Sequence, residues 1–207
     1  MSAAHLSAQR GLEGVKALYD DLAAERDWVL SAPLATPQAL VADVERFLAL
    51  EARLLDAGHF ERWLQLWDPQ GWYWIPLRRD SHPGTDQALF LDDWRRLQER
   101  VWRLRDPYAW GIQPLPEMVR AITSVEAWEH PHKDLAEGTI VASSTLILQV
   151  VAGSQPRQVV ARQIHRLRLI AEGATPEGPT VAGFQILRKT LLIPELARGS
   201  QHLGWLL

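Results

Sequence analysis

Apolar and polar residues follow a helical period in the first half of this chain and alternate like a sheet in the second. Leu40, Val44, Phe47, Leu48, Leu54 and Leu55 recur at the spacing of one helix face and predict a helix from Thr36-Pro37 to Gly58. Thr36 suits the cap, Pro37 the first helical position and Gly58 the residue just past the end. Phe60, Trp63, Leu64 and Trp67 fall at i, i+3, i+4 and i+7, which predicts a short second helix. Asp68-Pro69-Gln70-Gly71 reads as a type I turn, followed by a strand at Trp72-Tyr73-Trp74-Ile75. Residues 78–88 read as a polar loop. A helix from Asp92 to about Arg105 carries Trp94, Leu97, Val101 and Leu104 on its apolar stripe.

Beyond that point strands are predicted at Met118–Trp128, Thr139–Val151, Arg157–Ile170 and Val181–Ile193. Gly153-Ser154-Gln155-Pro156 joins the second and third of these as a hairpin, and residues 172–180 form a looser turn. Helices first and long antiparallel strands after predict an α+β fold, one curved sheet with helices on its concave side. Residues 1–35 are Ala-rich and weakly patterned. They read as a partly ordered N-terminal arm, with a poorly capped helix around Val15 to Val29, ahead of a single domain over 36–207.

Composition narrows the chemistry. Of 207 residues 47% are hydrophobic and 23% charged, ordinary for a folded chain, and the net charge of -3 gives no field that would recruit nucleic acid or an acidic membrane. No apolar run reaches the roughly 18 residues that span a bilayer, and Met1 to Arg10 lack a signal-peptide pattern. The absence of cysteine excludes disulfides, thiolate zinc sites and Cys-ligated iron–sulfur clusters, and fits the cytoplasm. The ten Trp read first as core packing, and so many together also point to some of them in a subunit contact.

No dinucleotide fingerprint, Walker loop, H-E-x-x-H or G-x-S-x-G is present. His130-Pro131-His132 has no third ligand nearby in sequence and reads as a turn. Glu51 lies on or beside an apolar stripe, either as a buried carboxylate paired with an Arg or as a catalytic acid. His165 shares a strand face with Val159, Ala161, Gln163, Leu167 and Leu169, which aims it at the interior, either as a hydrogen-bonded core histidine or as a base in a cavity. The arginines of the 92–105 helix (Arg95, Arg96, Arg100, Arg103, Arg105) read as a solvated or partner-facing surface.

Several segments resemble the small (β) subunit of aromatic-ring-hydroxylating dioxygenases. They are Phe47 to Asp56 with Phe60 to Trp67, Tyr73-Trp74-Ile75-Pro76-Leu77, Asp92 to Leu104, Phe184 to Ile193, and the apolar tail Leu203 to Leu207. They run in the family's order, although Phe184 stands where the family usually has Trp. The resemblance implies the cone-shaped nuclear-transport-factor-like (cystatin-like) fold. It also implies a β trimer supporting three α subunits in an α₃β₃ hexamer. The Rieske [2Fe-2S] cluster and mononuclear Fe(II) would belong to the α subunit, and electrons would come from NAD(P)H through a reductase, with or without a ferredoxin. This chain would then be structural, with no catalytic, cofactor or metal residues of its own. Trp94, Arg95, Arg100, Arg103 and Trp110 are the expected subunit-contact residues. The alternative is a free-standing dehydratase, isomerase or epoxide hydrolase of the same fold, with Tyr73, His165 and Asp92 or Asp93 lining a site inside the cone.

Overall fold

The structure, a computed structural model, describes residues 3–33, 38–106, 108, 115–129, 138–152, 155–170 and 183–198. The Thr36-Pro37 cap, the Gly153-Ser154 turn, His130 and His132, Trp110, residues 172–180 and the tail from Leu203 lie outside them. The chain runs α1 (Ala3–Ser31), α2 (Gln38–Asp56), α3 (Phe60–Leu64), β1 (Trp67–Pro76), β2 (Ala88–Asp93), α4 (Trp94–Arg105), β3 (Glu117–Glu129), β4 (Thr139–Ala152), β5 (Gln155–Leu169) and β6 (Phe184–Leu192), with a 3₁₀ turn at Pro194–Arg198. No helix among the described residues is long and apolar enough to cross a membrane.

The six strands among the described residues form one curved sheet in the order β2-β1-β6-β5-β4-β3. Four of its pairings are antiparallel, including the expected β4–β5 hairpin, and β1 runs parallel to β6. Helices α2, α3 and α4 cover the inner face. Val44, Phe47, Leu48, Trp63, Leu97 and Val101 pack there with Tyr73, Leu148, Val159, Leu167 and Ile186 of the strands. Gly58 ends α2 as expected. It takes φ +69°, its N–H donates to Leu55 O, and His59 N–H donates to Leu54 O, which closes the helix in a Schellman motif.

Two local expectations need correction. Asp68-Pro69-Gln70-Gly71 is not a turn ahead of a strand, because β1 begins at Trp67 and runs through it. The turn chemistry survives as an irregularity within the strand. Gln70 N–H donates to Asp68 Oδ1 at 2.7 Å and the register with β6 shifts between Trp67 and Trp72. A Cβ at Gly71 would lie 2.9 Å from Asp68 O, so only glycine fits there. The second correction is β2, which occupies residues read as the end of a loop and the start of a helix. The helix read from Asp92 starts at Trp94, and Asp93 caps it, accepting from Arg96 N–H at 2.9 Å.

The stretch before residue 36 contains α1, which lies against the outer face of the sheet. Val29 and Trp28 pack with Trp128, Val141, Ile164 and Leu192, and Trp28 meets Trp128 edge-to-face at 5.4 Å. Charge completes the contact. Arg166 of β5 binds both Glu25 and Asp21, and Arg188 of β6 reaches Asp21 at 2.6 Å. Burial pushes the Glu25 carboxyl up against the pull of Arg166. Asp21, which burial would also raise, is instead held below the usual range by Arg166 and Arg188.

Candidate functional site

The register places Asp92, Tyr73, Lys189, His165, Ala142 and Ala127 side by side in one row across all six strands. Period-two alternation turns every one of them inward. Tyr73, Asp92 and His165, the three interior candidates read from sequence, therefore stand on one line, with Lys189 inserted between Tyr73 and His165. Lys189 was missed as a site residue. Its only signal is a lysine at an inward position of a strand otherwise rich in apolar residues.

Glu51 descends onto this row from α2. It is not paired with an arginine, as one reading of the sequence had it. Its Oε1 accepts from Lys189 Nζ at 2.6 Å and from Trp63 Nε1 at 3.0 Å, and its Oε2 lies 3.1 Å from His165 Nε2. Burial alone would raise the Glu51 carboxyl. The Lys189 ammonium and His165 overcome this and hold it well below the usual carboxylate range. Burial pushes the His165 imidazole down against the pull of Glu51, with Lys189 adding to the fall. Burial lowers Lys189 too, against Glu51. The arrangement is thus an ionised Glu51–Lys189 pair beside a neutral His165 that donates from Nε2. Burial, seconded by the Glu51 charge, raises the Tyr73 hydroxyl well above its ordinary value, so it stays protonated.

Chemically this cluster holds charge in place. The Nδ1 lone pair of His165 and the Tyr73 hydroxyl find no hydrogen-bond partner among the described residues. Asp92, Tyr73, His165 and Lys189 are exposed by only 1%, 0%, 0% and 2%. Both Glu51 oxygens are already engaged by nitrogen donors, and among the described residues no group of three or more His, Asp or Glu is placed to hold a metal ion. The chain's lack of cysteine denies it a Rieske cluster, which needs two Cys and two His. The Rieske cluster implied by the resemblance does not fit a chain without cysteine, and the described residues assemble no ligand set for the mononuclear iron.

The expected subunit-contact residues lie around α4 in different settings. Arg100 is turned back into its own fold. It is bonded to the buried Asp92 through both Nε and Nη2, and its guanidinium lies 3.5 Å over the Phe90 ring. Trp94 is half-buried and packs against the core. Arg95 is exposed and pairs with Glu99 at 3.1 Å. Arg103 is exposed, as is Arg96, and neither has an ion pair among the described residues. Together with Asp92 and Asp93 these charged side chains wall an open cleft of about 440 Å³. Trp102, absent from the sequence-based selection, is 66% exposed beside them, while the other described Trp residues are buried or half-buried.

A family model described as "Ring hydroxylating beta subunit" matches residues 50–192. The chain belongs to that family. The match contains the whole interior row and Glu51. The 2-halobenzoate 1,2-dioxygenase small subunit of Burkholderia cepacia is 30% identical over 99 residues, 45% of this chain and 60% of that protein's length. The benzene 1,2-dioxygenase subunit beta of Pseudomonas putida is 26% identical over 184 residues, covering 84% of this chain and 92% of that protein. Among solved structures, a naphthalene 1,2-dioxygenase with indole in its active site aligns at TM-score 0.68 and 20% identity, over 86% of this chain and 91% of that one. The β subunit of the benzoate 1,2-dioxygenase of Burkholderia mallei aligns at TM-score 0.56 and 16% identity, over 77% and 91% of the two chains. At these identities the two structures establish that the ring-hydroxylating β-subunit family and this chain share a fold.

Proposed function

We propose that this chain is the structural β subunit of an aromatic-ring-hydroxylating dioxygenase, which binds and positions the catalytic α subunits. The observation that carries this reading is the family match over residues 50–192 around an interior that is closed and ion-paired. The α partner supplies the Rieske cluster and the mononuclear iron, and a reductase, directly or through a ferredoxin, supplies electrons from NAD(P)H. Three copies of this chain form a ring that carries three α subunits, as α₃β₃, in the cytoplasm. A cysteine-free chain is consistent with that compartment.

In this reading α4 faces the α subunit. Arg96 and Arg103, exposed and unpaired among the described residues, with Trp102 beside them, offer the charged and aromatic groups that anchor interfaces. A free-standing enzyme with its site inside the cone would need an approach to Tyr73, Asp92 and His165, and their burial supports the structural role instead.

Co-expression with the gene for the α subunit tests the proposal. The two chains are expected to co-purify as a hexamer that hydroxylates an aromatic ring, with no turnover by this chain alone. A chain that ignores the α protein and turns over a substrate by itself, with activity lost on His165→Ala, would overturn it.

A further inference from the structure

A cleft of about 750 Å³ lies between the end of α1 and the outer face of the sheet, a volume that suits a small organic molecule. Val29 and Leu30 of α1 line it, with Leu77 just past β1, and Leu192 of β6 joins them from the sheet. These side chains are buried or half-buried and apolar. The cleft is separate from the interior row and from the α4 surface.

One cation stands on this apolar floor. Arg162 points outward from β5, between Thr145 of β4 and Leu192 of β6 in its row. It is half-buried, and it has no ion pair among the described residues. Its Nη1 donates to Ser143 Oγ at 3.3 Å, a neutral acceptor that leaves the charge uncompensated. An arginine held against apolar walls usually has an anion beside it. The neighbouring charges do not supply one. Arg78 is already engaged with Asp80 and Asp86, at 3.4 and 3.7 Å. Arg79, at the β1 end of the cleft, is a second cation with no ion pair among the described residues. Glu126 does line the cleft, but it lies on β3 opposite Ser143. That is two strands from Arg162, about 10 Å of sheet, and no ion pair joins them.

We infer that this cleft binds a small organic monocarboxylate with an apolar body. The carboxylate pairs with the Arg162 guanidinium, whose fork of donors matches two oxygens. The apolar body lies over Leu192, against Leu30 and Leu77. Glu126 sets the orientation, because its charge repels the anionic head from the β3 end and leaves the body to run toward β1. A neutral ligand of the same shape would leave Arg162 unpaired beneath it, and a cationic one would meet it as a like charge.

Calorimetric titration of the intact chain with octanoate tests the site, with octan-1-ol and octylamine as its neutral and cationic counterparts. The natural chain is expected to bind one octanoate, more than about tenfold tighter than octan-1-ol, and to bind no octylamine. Arg162→Gln should weaken octanoate by more than about tenfold and leave octan-1-ol unchanged. Val160→Glu sets a like charge on the cleft lining beside Arg162 and should weaken octanoate to a similar degree. Val160 is 46% exposed, so this second variant keeps the fold if the first does not. Arg46→Gln removes an exposed arginine of α2, outside the cleft, and should change nothing. No binding of octanoate by the natural chain would overturn the site. Octanoate binding that the folded variants at Arg162 and Val160 retain would place it elsewhere and overturn the assignment. Octan-1-ol or octylamine bound as tightly as octanoate would overturn the choice of an anion.

Discussion

Under α2, the charges of Glu51 and Lys189 sit 2.6 Å apart, both buried, with His165 and Trp63 completing the carboxylate's hydrogen bonds. On α4, Arg96 and Arg103 stand in solvent with no ion pair among the described residues. The two regions show what a charge does according to its surroundings. The interior pair need not add net stability over apolar side chains of the same shape, but either partner alone would be an uncompensated buried ion. The exposed arginines contribute almost nothing to folding and stand available to a partner.

This contrast can be broken at its strongest point by Glu51→Ala. The substitution strands Lys189 and leaves the nitrogens of Trp63 and His165 without their acceptor. A loss of about 3–5 kcal/mol is expected in urea unfolding. A loss under about 1 kcal/mol would mean the cluster is not closed in solution. A smaller loss, about 2 kcal/mol, is expected from Arg166→Ala, which removes the cation shared by Glu25 and Asp21 beneath α1. Limited proteolysis should then cut within residues 11–31 before the sheet unfolds. Global unfolding with no early cut would show α1 to be held by its Trp28 contact instead.

The third effect depends on pH. His165 is lowered from 6.5 in the fold, so the unfolded chain takes up a proton that the folded one refuses. Its contribution is full above about pH 6.5 and is lost as the pH falls from there toward its depressed folded value. Glu51 adds a second loss below its ordinary value of 4.5, because its folded value is depressed as well. His165→Gln should flatten the fall in stability between pH 7 and 5.5 and leave the lower step. Equal slopes in both proteins would remove His165 from the account. Smallest for folding and largest for assembly is Arg96→Glu with Arg103→Glu. The expected change in stability is within about 0.5 kcal/mol, together with loss of the α subunit on gel filtration. Arg100→Glu is a poor substitute, because it would also strand the buried Asp92.

Local patterns carried much of this architecture into view. The apolar stripes of α2 and α4, the β4–β5 hairpin and the inward face of β5 all follow from spacing, and Val159, Ala161, Gln163, His165 and Leu167 are indeed buried while Leu169 emerges. What spacing could not convey was lateral. That Tyr73, Lys189 and His165 are neighbours depends on the register of β1 with β6 and of β6 with β5, between segments far apart in the chain. Glu51 was legible as a buried carboxylate, but its cation was not, because Lys189 reads locally as one charge in a strand. β2 was hidden because Leu89, Phe90 and Leu91 run straight into the acidic start of α4, so strand and helix signals merge.

The position of β6 has a consequence for how this chain comes to be folded. It is the last of the described strands in sequence and lies between β1 and β5. Until residues 184–192 leave the ribosome, β1–β2 and β3–β5 are two separate pieces, each with an open edge where β6 will go. The parallel pairing of Trp72 with Arg188 joins segments far apart in sequence, a long loop that must close before it is rewarded. Completion of the sheet therefore waits until β6 has been made, and a chain stopped before Phe184 would present two adhesive strand edges to its neighbours instead of one finished sheet.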